Sequence, residues 1–124
     1  MRTQLSEDVS DGRTVRFTSS AGAGAGLWRG ASVEAGTVVD IECEFPKNLR
    51  WRVDIWPIDH ERQTGFDSTA HAILRVEDQH DDGVLVARLG SGLVLLVTSG
   101  EMPLVVGNLV SVRASDLELY PTGI

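Results

Sequence analysis

The chain has 124 residues, the length of one domain, with 42% hydrophobic and 23% charged residues. Its 18 acidic and 11 basic residues give a formal net charge of -7, which opposes attraction to phosphate backbones and anionic lipid; neither nucleic acid nor a membrane is the expected partner. A polar N-terminus without an apolar signal core, a longest apolar run of only Leu93 to Val97, and a single cysteine, Cys43, together predict a cytoplasmic protein without disulfides.

Residues 1–12 show no periodicity and read as a loose tail. Thr14 to Thr18 alternates as a short strand. Residues 19–36 follow, with glycines at 22, 24, 26, 30 and 36, and this density predicts a flexible Gly/Ala-rich loop closed by Leu27 and Trp28. The GAGAG run offers no phosphate cradle, since neither G-K-[ST] nor a helix follows it.

Thr37 to Pro57 carries the clearest pattern. Val39, Ile41, Cys43 and Phe45 alternate with Asp40, Glu42 and Glu44; then Leu49, Trp51, Val53 and Ile55 alternate with Arg50, Arg52 and Asp54. Period-two alternation predicts two strands with one buried and one wet face. A three-residue turn, Pro46-Lys47-Asn48, keeps the faces matched. It opposes Glu44 to Arg50, Glu42 to Arg52 and Asp40 to Asp54.

Ile58 to Thr69 reads as a polar connection. Ala72–Asp78, Val84–Leu89 and Leu93–Thr98 read as a three-stranded meander, turned at 79–83 and at Gly90-Ser91-Gly92. The last of these, with its LVLLV run, lacks alternation and is expected to be central or covered on both faces. A loop over 99–108 leads to a strand at Leu109–Arg113. A turn at Ala114-Ser115-Asp116 gives a final strand, Leu117–Tyr120. No amphipathic helix of ten residues is present.

The expected fold is therefore all-β: a single small antiparallel barrel over 13–124 with an extra N-terminal strand. The tail VVGNLVSVRASDLELYP, the long strand from Val38 and the meander resemble an OB-fold barrel. The chain is also similar to small uncharacterised bacterial β-barrel proteins, among which immunity and interaction proteins are frequent. These resemblances imply a binding role and supply no catalytic residues.

Nothing in the residues argues for an enzyme or a cofactor. There is no G-x-S-x-G elbow, and Glu42 and Glu44 beside Cys43 disfavour a thiolate. His60, His71 and His80 lack metal-ligand spacing, so no metal is expected. The candidate binding residues are Trp28 in the glycine-rich segment and Trp56, which breaks the alternation before Pro57. Arg29 and Arg52 would flank them, with Asp40 and Asp54 at the edge. The two indoles either gather into an aromatic–Arg patch or plug the ends of the barrel.

The expected function is a non-enzymatic binding module with a protein partner, in concrete form an immunity- or inhibitor-type protein. The alternative is an OB-type binder of single-stranded nucleic acid or oligosaccharide. Oligomeric state is not legible in the sequence.

Overall fold

The computed structural model of the chain describes residues 1–67, 71–101, 103, 105–113 and 117–122. The strands are β1 (Arg2–Leu5), β2 (Thr14–Ser19), β3 (Gly22–Trp28), β4 (Val38–Glu44), β5 (Leu49–Arg50), β6 (Ile55–Ile58), β7 (Gly65–Asp67), β8 (His71–Gln79), β9 (Val84–Leu89), β10 (Gly92–Ser99), β11 (Leu109–Arg113) and β12 (Glu118–Thr122). The described residues contain no helix, and the fold is all-β as the alternation predicts. Strands β1-β2-β3-β12-β4 form a closed barrel. A second, seven-stranded sheet runs β5-β10-β9-β8-β11-β6, with β7 attached to β8. One contiguous core, including Phe17, Trp28, Ile41, Leu74, Leu96 and Leu119, fills both.

The meander forms as read, β8 against β9 against β10, all antiparallel. A bulge between Val76 and Asp78 shifts the β8 register. Beyond it Gln79 holds the connection between β10 and β11, donating to the Pro103 carbonyl at 2.7 Å and accepting from Val105 N–H at 2.9 Å. The predicted turn at 114–116 lies outside the described residues, as do Ser68 and Thr69 of the polar connection.

Four expectations are overturned. The first is the tail: β1 pairs with both β2 and β4, and Val9 bridges to Val33, so residues 1–12 belong to the barrel.

The second is the glycine-rich loop, which is strand β3, antiparallel to β2 across its whole length. The glycines serve close approach here rather than freedom. A Cβ on Gly24 would lie 2.8 Å from the Phe17 ring and 3.0 Å from that of Phe66. These two rings meet edge to face at 5.3 Å.

The third is the hairpin. The faces of β4 are as predicted, with Val39, Ile41 and Cys43 buried, and Trp51 is buried too. However, β4 pairs with β12 along its length and with β1 at its start, leaving no role for the expected partner strand. Glu44 therefore faces Glu118, and Glu42 faces Tyr120; the pairs Glu44–Arg50, Glu42–Arg52 and Asp40–Asp54 do not form. Past the short β5, which joins β10 in parallel, the chain turns at 51–54 with Arg52 at φ 66°. Pro57 does not end its strand but lies within edge strand β6, opposite Val110. An edge tolerates its missing N–H.

The fourth is β10, which is neither central nor covered on both faces. Val94, Leu96 and Thr98 are buried, while Leu93, Leu95 and Val97 stand exposed.

Candidate functional site

The sequence-predicted patch does not assemble. Trp28 is fully buried at the end of β3, and its Nε1 donates to the Ala31 carbonyl at 2.9 Å. It belongs to the core. Trp56 lies on β6, in the other sheet, half-buried. The Arg113 guanidinium sits 5.3 Å from the centre of its ring, and His71 approaches it edge-on at 6.5 Å. Arg52 is exposed in the 51–54 turn, and no contact among the described residues joins it to Trp28 or Arg29.

Arg29 instead belongs to a cluster built by β12. Its Nε donates to Glu118 Oε2 at 2.9 Å, and Tyr120 O–H donates to the same oxygen at 2.8 Å. The Tyr120 and Arg29 hydrogen bonds hold the Glu118 carboxyl below its usual range, and Glu118 in turn raises Tyr120. Asp40 remains exposed on β4, opposite Arg2 and Thr122.

Asp54 leaves the wet face altogether and is 5% exposed. Its carboxylate accepts from Arg50 N–H at 2.9 Å, Lys47 Nζ at 3.2 Å and Arg50 Nε at 3.4 Å. This ties the 46–54 segment into one knot. The backbone hydrogen bond from Arg50 is the main cause holding the Asp54 carboxyl below the ordinary value of 3.8. A carboxyl lowered on folding stabilises the fold fully above its unfolded value. That stabilisation is lost as pH falls through the lower folded value. Asp54→Asn should therefore melt at a lower temperature at neutral pH, and the gap to wild type should close as pH drops below about 3.8. Thermal melts across an acid pH series check this; a pH-independent gap would show that charge at Asp54 contributes nothing.

Cys43 is buried opposite Leu119 on β12, and burial pushes its thiol up to about 11. That describes a core residue rather than a nucleophile. Among the described residues no three His, Cys, Asp or Glu side chains converge as metal ligands. His60 lies by Asp59, His80 by Asp78, and His71 by Trp56. No helix of the described residues is long and apolar enough to cross a membrane.

The surface feature that sequence reasoning missed is on the meander. Leu93, Leu95 and Val97 are 59%, 63% and 45% exposed. Across the ladder Leu95 faces Val86 and Val97 faces Val84, both half-buried on the same outer face. Five aliphatic side chains therefore form one patch on two adjacent strands. Arg88, opposite Leu93, ends it with an ion pair to Glu77 at 2.7 Å. Beside β10, without a ladder between them, runs β4. Clefts of about 340 and 410 Å³ lie between the two strands, lined by Glu42 and Cys43 on one wall and Leu93 and Val94 on the other.

Comparison of the chain with protein-family models, with curated proteins and with solved structures returns no match. The architecture is thus a small β-barrel-like all-β fold, and its relatives are not identified by likeness.

Proposed function

We propose that the protein is a non-enzymatic binding module that docks a protein partner through the outer face of β9 and β10. The observation that carries this reading is the exposed aliphatic patch of Leu93, Leu95 and Val97, extended by Val84 and Val86. Single exposed apolar residues are ordinary on any protein, but a contiguous patch on a regular sheet face is the mark of a contact surface. Flanking acids and a net charge of -7 favour a protein partner over anionic lipid or nucleic acid. The concrete form is an immunity- or inhibitor-type protein acting in the cytoplasm, whose acidic surface would steer a basic target toward it.

A second reading, the binding of single-stranded nucleic acid or oligosaccharide, draws on Trp56. Its half-exposed indole lies at a sheet edge beside Arg113 and His71, the chemistry of a stacking platform. Its own guanidinium partner already covers part of that ring, and the patch on β9 and β10 is larger and unoccupied by the protein's own side chains. The first reading is therefore preferred.

The test is the double variant Leu93→Ser, Leu95→Ser. Both side chains point to solvent, so stability should stay within about 0.5 kcal/mol of wild type. A partner captured from the native host and purified should no longer form a complex with this variant. A complex of undiminished strength would refute the reading.

A further inference from the structure

The apolar patch is a strip with acids along both sides. Val84 and Val86 of β9 and Leu93, Leu95 and Val97 of β10 form two adjacent columns on one face. On the β8 side, Asp78 stands exposed opposite Val86. On the other side β4 brings Cα atoms within 8 Å of β10, and its exposed Glu42 and Glu44 share a cleft with Leu93 and Leu95. No ion pair among the described residues engages Glu42 or Glu44. Arg88, at the Leu93 end of the strip, is already paired with Glu77.

The dimensions of the strip select what can cover it. Neighbouring strands lie about 4.8 Å apart, so two columns of side chains span about 10 Å, the thickness of one α-helix. From Leu93 to Val97 the strip runs about 14 Å, at about 3.4 Å per residue. A helix covers that length in about nine residues. A partner sheet, several strands wide, would overrun both acidic sides. Nor does β10 offer an edge to an added strand, because β4 runs alongside it and β5 pairs with Thr98 and Ser99. The partner segment must therefore satisfy its own backbone hydrogen bonds, as a helix does internally.

We propose that the β9–β10 face docks one amphipathic helix of the partner, whose aliphatic stripe is flanked on both sides by Lys or Arg. The stripe rests on Leu93, Leu95 and Val97. The basic side chains lay their stems over the margins of the strip and carry their charges to Glu42, Glu44 and Asp78. The inference rests on the protein-binding reading above and adds what the partner presents. A second copy of this chain is a poor occupant: its described residues contain no helix, and its own copy of this face would set acids against acids.

The probes are three synthetic peptides of about 18 residues, long enough to form a helix. The first carries leucine at i, i+3, i+4 and i+7, with lysine on both flanks of that stripe. The second replaces lysine with glutamate. The third keeps the composition of the first but alternates leucine with lysine, the period of a strand. Titrations into the full chain are followed by the methyl resonances of Leu93, Leu95 and Val97. The lysine helix should shift these methyls, and the other two peptides should bind at least about tenfold more weakly. Glu42→Gln with Glu44→Gln should weaken the lysine helix about fivefold, the effect of two exposed charge pairs. Adding Asp78→Asn should weaken it about twofold further. Glu34→Gln with Asp59→Asn, acids elsewhere on the surface, should change its affinity by less than about twofold.

Equal binding of the lysine helix and either other peptide, no shift at these methyls, or an equal loss from the Glu42/Glu44 and Glu34/Asp59 variants would overturn the proposal. So would a dimer in sedimentation that shifts the same methyls without peptide. If the lysine helix fails while Leu93→Ser, Leu95→Ser still abolishes the native complex, helix docking falls and the protein-binding reading stands. If the serine variant leaves that complex intact, the reading itself falls.

Discussion

Trp28→Ala should destabilise the protein by about 3–5 kcal/mol, the range for truncating a buried tryptophan. The side chain is fully buried within the barrel core, so its loss removes packing from several strands at once. It also leaves the Ala31 carbonyl without the indole N–H it accepts. Native domains are stable by only about 5–15 kcal/mol, so such a loss is a large fraction of the total. Urea unfolding followed by fluorescence of the remaining tryptophans measures it. A shift below about 1 kcal/mol would mean that Trp28 is exposed and belongs to a surface patch after all.

Gly26→Val should cost about 3 kcal/mol, the upper part of the range for overpacking. An added Cβ would lie 2.9 Å from the Leu117 carbonyl oxygen and 3.0 Å from Leu119 Cγ. The first of these is backbone, and it accepts Leu27 N–H at 2.8 Å. That bond belongs to the parallel junction of β3 with β12, where the barrel closes. The junction must part before the side chain fits. Gly36→Ala is the control, because nothing lies within 4 Å of a Cβ there, although its φ of +83° carries its own strain. Equal melts for Gly26→Val and wild type would contradict the close packing of β3 on β12.

What the sequence discloses and what it hides divide along a physical line. Strands β8, β9 and β10 are legible because short turns join them, and neighbours in sequence pair as a meander. The buried face of β4 is legible because alternation reports burial whichever strand lies alongside. Its partners are not, because β1 and β12 come from the two ends of the chain. The charge pattern fits a hairpin locally, but barrel closure decides the register. Asp54 shows the same limit: its alternation places it outside, while the turn at 51–54 folds it in against Arg50 and Lys47. The glycines of β3 mislead because composition does not separate flexibility from close contact; only Phe17, Phe66 and Leu119 standing over them do.

The patch on β10 was hidden by the same reasoning that found the core. A run of five aliphatic residues reads as doubly buried, yet alternate members of it face solvent. The apolar content that looks like core is, on one face, surface. Its position against β9 was predicted, and its exposure was not.

The most direct measurement is calorimetric titration of the purified native partner into three proteins: wild type, Leu93→Ser with Leu95→Ser, and Trp56→Ala. The account predicts a defined stoichiometry with wild type, an affinity unchanged within about twofold for Trp56→Ala, and no detectable heat of binding for the serine variant, whose melt stays at the wild-type temperature. Binding lost in Trp56→Ala and retained in the serine variant would contradict it and move the functional surface to the β6 edge.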